Sequence, residues 1–186
     1  MRCIVSVPHS EMYTNDVGAA IIAEHLYNML KENLSDVKLH RNFLDREVVD
    51  MNRPPSRMTA WRTALRQDMV GDFILIDIHG FPVSSNSDYC KDGCDIALLH
   101  TPNVTDKPLL EWYAEQIEDS GLKSGVYRSR KTDDIMIESY EQGSRFSCLA
   151  ENAEEGWGKR DAKRTHHEIY ADAHRTAILN FMDTFC

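Results

Sequence analysis

Two histidines stand at the ends of apolar runs: His9 in Val7-Pro8-His9-Ser10 and His79 in Ile76-Asp77-Ile78-His79-Gly80. Histidine is the commonest metal ligand, and two imidazoles with one carboxylate make a hydrolytic zinc site that keeps one coordination position open. The runs ahead of them, Ile4-Val5-Ser6-Val7 and Phe73-Ile74-Leu75-Ile76, have the length and β-branched content of buried strands. Open α/β sheets gather ligands beyond the carboxyl ends of their strands, so the two imidazoles could face each other across one crevice. Either histidine alone reads more simply as a strand-end group with local hydrogen bonds. The pair, with the motifs that follow, favours a metal.

Such a site needs a third ligand. Alternation along a strand puts Asp77 and His79 on one face, so Asp77 could orient His79 or ligate directly. The acids nearest His9 are Glu11 and Asp16. Glu11 follows by two residues, a spacing that tends to turn it away. Asp16 lies at the mouth of a helical stretch, where capping that helix is an equal alternative.

Two further segments carry chemistry. In Val49-Asp50-Met51-Asn52-Arg53-Pro54-Pro55 an arginine sits in a stiff proline-bounded turn. Its planar guanidinium suits a fixed carboxylate clamp, with Asn52 as a further donor and Asp50 either a structural partner or a neighbour. In Cys148-Leu149-Ala150-Glu151-Asn152 a carboxylate ends a strand. Glu151 in a partly apolar cleft could act as general base on an activated water, against the plainer reading of an exposed acid near Glu154 and Glu155.

The elements that must position these groups alternate between strand and helix, the α/β signature. A helix is expected after Asp16, with Ala19, Ile22, Leu26, Met29 and Leu30 at helical spacing. Val37-Lys38-Leu39 and Glu47-Val48-Val49 read as short strands. Pro54-Pro55-Ser56 opens a helix carrying Met58, Trp61, Leu65 and Met69. A turn-rich loop covers residues 80–95, Ile96-Ala97-Leu98-Leu99 is a strand, and a helix begins at Pro108. Residues 129–134 read as a polar stretch after a short strand at residues 125–128. The last strand is expected at residues 146–150, and Thr165 with Glu168 forms a capping box ahead of a long amphipathic helix. The expected fold is a three-layer α/β/α sandwich with a mixed, mostly parallel sheet, residues 1–186 making a single domain.

Composition narrows the function classes. The 186 residues carry a net charge of −9, with 42% hydrophobic and 27% charged residues. No basic footprint points to nucleic acid, and the short run Lys159-Arg160-Asp161-Ala162-Lys163-Arg164 reads as a solvated loop. No apolar run approaches the ~20 residues of a membrane span, and the amino-terminal run is too short for a signal peptide. Five cysteines without a framework of spacings fit reduced thiols in a cytoplasmic protein, and Cys90-Lys91-Asp92-Gly93-Cys94 alone is too few ligands for structural zinc. Oligomeric state stays open.

In this order the segments resemble the N-formylglutamate amidohydrolase family, which is related in fold to zinc carboxypeptidases and to succinylglutamate desuccinylase and aspartoacylase enzymes. The resemblance rests on Val7-Pro8-His9-Ser10, Asp16-Val17-Gly18-Ala19, Val49-Asp50-Met51-Asn52-Arg53-Pro54-Pro55, Asp77-Ile78-His79 and Leu149-Ala150-Glu151, and runs from residue 1 to about residue 155. It implies that His9, Asp16 and His79 bind one zinc per chain. It further implies that Asn52 and Arg53 hold a substrate carboxylate and that Glu151 is the catalytic base and acid. Members often have glycine where this chain has Glu11, and the related carboxypeptidases place their acid ligand three residues after the first histidine. The carboxylate ligand therefore stays open between Asp16 and Glu11. The expected activity is zinc-dependent hydrolysis of an amide bond in a small molecule or short peptide with a free carboxylate. The alternatives are a non-catalytic binding protein on the same fold and a metal-dependent esterase or deacylase.

Overall fold

Six strands, β1 (Arg2–Val7), β2 (Val37–Arg41), β3 (Phe73–Pro82), β4 (Ile96–His100), β5 (Ser124–Arg128) and β6 (Phe146–Glu154), form one sheet in the computed structural model. Their order is β2-β1-β3-β6-β4-β5, with every pairing parallel except β4 against β6. The structure describes residues 1–9, 17–44, 48–82, 87–100, 106–129, 133–154 and 166–186. The helices are α1 (Val17–Lys31), α2 (Ala60–Asp68), α3 (Asp88–Lys91), α4 (Lys107–Glu118), α5 (Asp134–Glu141) and α6 (His166–Phe185).

The sheet is covered on both faces, which explains why its central strands are nearly continuous apolar runs. Val5, Val7, Ile74, Ile76, Ile78, Cys148 and Ala150 pack with residues of α1, α4 and α6. On the opposite face Ile4, Phe73, Leu75 and Leu149 pack with Leu65 and Met69 at α2 and with Ile135 and Met136 of α5. Three layers result, as the strand-helix alternation requires. Among the described residues no helix is long and apolar enough to cross a membrane.

The connections create a crevice. From β1 the chain crosses to β2 on one side, then returns to place β3 on the other side of β1. That reversal between β1 and β3 is a topological switch point, where open α/β sheets have room for a ligand at their carboxyl edge. His9 follows β1 directly, and Asp77 and His79 lie in the second half of β3.

Several elements differ from the expectation. Val48 is 72% exposed and lies in a turn, Val49 is likewise outside any strand, and residues 45–47 lie outside the described residues. The helix expected from Pro54 is two pieces: a 3-10 helix over Pro54–Met58, then α2. Thr59 is extended between them (φ −72°, ψ 153°), and its side chain accepts from Arg62 N to cap α2. The break rotates Met58 off the apolar stripe and leaves it 92% exposed. Helix α5 forms where the sequence pattern suggests no element, β3 and α3 take up part of the loop expected at residues 80–95, and β6 runs on past residue 150 to Glu154. The Thr165 half of the capping box lies outside the described residues, as does the basic run at 159–164.

Candidate metal centre

Asp77 and His79 project from the same face of β3, as strand alternation dictates. Ser6 of β1 is the register partner of Asp77, and its hydroxyl donates to Asp77 Oδ1. Asp77 Oδ2 lies 3.0 Å from His79 Nε2. His9 meets His79 edge-on, with ring centroids 5.4 Å apart and an interplanar angle of 65°. His9, Asp77 and His79 are all buried.

The turn at residues 50–53 closes over this pair. Asp50 Oδ1 accepts from Asn52 N at 3.0 Å and lies 3.4 Å from His9 Nε2, while its Oδ2 is 3.6 Å from Arg53 Nε. Asn52 is buried and turned inward: its Nδ2 lies 3.2 Å from His79 Nε2 and donates to Asp133 Oδ2. Asp133 is the cap of α5, its Oδ1 accepting from Ile135 N at 2.9 Å and Met136 N at 3.0 Å. The next residue, Asp134, accepts a bidentate pair from Arg57 and a further bond from Arg62 at 3.0 Å. Arg62 is fully buried, and its guanidinium also donates to Glu138, to Met51 O at 2.8 Å and to Ser56 Oγ at 3.0 Å. Arg62 therefore fastens the 50–57 segment to the start of α5. Burial pushes the Asp134 carboxyl up, but the hydrogen bond from Arg57 and the Arg62 charge bring it below the ordinary carboxylate range.

Asp77, His79 and Asp133 place one potential ligand atom each within 4.8 Å of one another. Two features make a cation fit among them. Burial, and then the nearby Asp77 charge, push the Asp133 carboxyl up to about 6, a cost that positive charge would offset. His79 Nε2 also has the Asn52 amide donor on one side and the Asp77 carboxylate on the other. One ring nitrogen is either donor or acceptor and cannot satisfy both neighbours with its own proton. A divalent ion bound by imidazole nitrogen and carboxylate oxygen would resolve that conflict.

The structure thus brings His9 and His79 together, although β3 continues past His79 to Pro82 and does not end there. Asp16 and Glu11 lie outside the described residues. Arg53 is half-buried beside Asp50. Glu151 is half-buried and is the register partner of His79, so both side chains leave the same face of the sheet. Asp133 was missed. Its signal was present as Asp133-Asp134 ahead of Ile135 and Met136, an N-cap pattern in a stretch read as polar loop. Beyond the site a cavity of about 170 Å³ is lined by Phe81, Cys90, Cys94, Asp95, Ala153 and Tyr170, among others.

The sequence matches no family model and no curated protein. Solved structures do match in fold. The catalytic domain of CwlV, an N-acetylmuramoyl-L-alanine amidase from Bacillus (Paenibacillus) polymyxa var. colistinus, is similar with a TM-score of 0.58 and 13% identity over 98% of this chain and 99% of that one. A bacteriophage poly-gamma-glutamate hydrolase gives a TM-score of 0.57 at 15% identity, covering 98% of this chain and 85% of its own. A mutant pyrrolidone carboxyl peptidase from Pyrococcus furiosus gives 0.57 at 12% identity, with both chains covered in full at 100%. At such identities the likeness establishes the fold. That fold is a mixed, mostly parallel α/β architecture.

Proposed function

We propose that this chain is a metal-dependent hydrolase that cleaves an amide bond in a small carboxylate-bearing substrate, with zinc as its metal. The observation that carries this reading is the buried group Asp77, His79 and Asp133 at the switch point, with His9 edge-on to His79. Those three residues would hold the ion, and His9 adjoins as a further donor. Bound zinc supplies Lewis-acid polarisation of a carbonyl and brings the pKa of a water to roughly 7.

The chain's own residues supply the rest. Glu151, beside His79 in the sheet, takes a proton from the attacking water and returns it to the leaving amine. Arg53, held near Asp50 at the rim, pairs with the substrate carboxylate and so sets the amide over the site. Amidases, a peptidase and a poly-gamma-glutamate hydrolase among the fold neighbours support amide hydrolysis. The resemblance carried by Asp50-Met51-Asn52-Arg53-Pro54-Pro55 favours an N-acyl amino acid such as N-formylglutamate, or a short peptide.

The test is metal content of the purified chain beside the His79→Ala and Glu151→Gln variants, with matched amide and ester substrates. About one zinc per chain, lost in His79→Ala, is expected. Glu151→Gln should keep the metal and lose turnover by about a hundredfold or more. Retained turnover in Glu151→Gln would remove that residue from the mechanism. A wild-type chain that takes up no metal would overturn the hydrolase and leave a binding protein on the same fold. Ester cleavage without amide cleavage would reassign the reaction class.

A further inference from the structure

Behind the site, on the face of the sheet away from Asp133, lies a buried polar chain that the proposed reaction does not use. Asn152, His174 and Tyr113 are all buried, on β6, α6 and α4 respectively. Asn152 Nδ2 lies 3.1 Å from two carbonyls, His79 O on β3 and Ala150 O on its own strand. Carbonyls only accept, so this nitrogen is the donor and the orientation of the amide is fixed. Asn152 Oδ1 then faces His174 Nε2 at 3.1 Å, and Nε2 must carry the proton. His174 Nδ1 is left as acceptor, 3.3 Å from the Tyr113 hydroxyl. The carbonyls thus dictate each step as far as His174, and the Tyr113 hydroxyl has both His174 Nδ1 and, at 3.4 Å, His174 O as acceptors.

We propose that Asn152, with His174 and Tyr113 behind it, is a positioning residue that fixes the His79 backbone and the outward direction of Glu151. The inference rests on the metal-hydrolase reading above. Asn152 follows Glu151 directly, so holding its side chain on the far face turns Glu151 to the face that bears His79. The same amide ties β6 to β3 at the residue that would ligate the metal. A buried apolar residue in place of Asn152 would fill space without holding the two strands in one register at this point. Partners that orient a ligand from outside the coordination sphere typically alter metal affinity or activity about 10–100-fold when removed.

The test compares His174→Leu, His174→Gln and Tyr113→Phe by three readouts: melting temperature, zinc affinity, and the carbonyl carbon resonance of His79 in metal-free protein. His174→Leu should weaken zinc binding about tenfold or more and move the His79 carbonyl resonance. His174→Gln, which can donate to Asn152 and accept from Tyr113, should restore both. Tyr113→Phe should move them in the same direction by less, and serves in place of His174→Leu should that variant not fold. A variant that lowers the melting temperature with zinc affinity and the His79 resonance unchanged would overturn the proposal and leave a purely structural network. Should the wild type bind no zinc, the hydrolase reading falls. The His79 resonance then decides alone: movement in His174→Leu restored in His174→Gln supports positioning, and no movement overturns it.

Discussion

His9 and His79 face each other edge-on with ring centroids 5.4 Å apart, each with a carboxylate at its Nε2. Asp50 lies 3.4 Å from the first and Asp77 3.0 Å from the second. Parallel strands deliver the two rings, and both acids lie at the Nε2 atoms, which places them beside a bound ion and not behind the imidazoles. Asp50 also lies 3.6 Å from Arg53, so one side chain links the histidine pair to the proposed carboxylate clamp. Asp50→Asn should therefore weaken metal binding and raise KM together. Titration with zinc and steady-state kinetics on the same preparation check this. A change in KM alone would confine Asp50 to holding Arg53.

Asp133 has two roles that substitution can separate. Asparagine caps helices about as well as aspartate, so Asp133→Asn should keep α5 while losing the charge near His79 and the oxygen that accepts from Asn52 Nδ2. Zinc affinity should fall about tenfold or more while the melting temperature changes little. Asp133→Ala removes the cap as well and should cost a further ~1 kcal/mol in urea unfolding. Equal zinc affinity in Asp133→Asn and wild type would restrict Asp133 to capping.

Arg62 tests how the roof of the site is held. It is fully buried between Asp134 and Glu138 and donates to Met51 O. Arg62→Met leaves two buried carboxylates short of a partner and frees the turn that carries Asn52. The expected loss is about 3 kcal/mol or more by urea unfolding, because removing one member of a buried ion cluster strands the others. A loss under ~1 kcal/mol would mean that Arg57 and Arg66, which also reach these carboxylates, suffice alone.

What could be read from the chain was what is local. That His9 follows β1 and His79 lies in the carboxyl half of β3 follows from short apolar runs, although β3 runs on to Pro82 where a loop is expected, and the layered α/β architecture follows from their alternation with helical stripes. The cap at Asp133 is legible in the pattern, whereas the roles of Asp134 and Glu138 are illegible for a physical reason. Charged residues in a short helix read as solvated until their partner is known, and Arg62 lies 72 positions from Asp134. Asn152 likewise reads as an ordinary polar residue, because the His79 carbonyl that orients it and the His174 ring it faces come together only in the fold. Val48 and Met58 failed the other way: apolar residues imply burial only where an element packs against them, and the turn and the break at Thr59 leave them exposed.

The thiols should fall into two classes. Cys186 is exposed and Cys90 half-buried, whereas Cys3, Cys94 and Cys148 are buried. Burial pushes Cys3 up to about 12 and Cys94 up to about 11, and raises Cys148 well above the ordinary thiol range. The thiolate is the nucleophile, so a disulfide reagent at pH 8 should modify Cys186 and Cys90 in the native protein. The other three should react only on unfolding. Rapid native modification of Cys3 or Cys148 would mean that the central strands open locally.

His174 gives the fold a pH dependence whose direction is set. Burial lowers its pKa to about 4 from the ordinary 6.5, so the folded protein keeps it neutral where the unfolded chain would protonate it. Between those values the unfolded state binds more protons, and stability rises with pH. The contribution is whole above pH 6.5 and is lost as pH falls towards 4, an effect of about 3 kcal/mol from this group. His174→Gln has no proton to take up and should show a shallower loss across the same window in urea unfolding run at several pH values. Parallel curves for the two proteins would mean that His174 titrates alike folded and unfolded, and that the acid sensitivity belongs to the carboxylates.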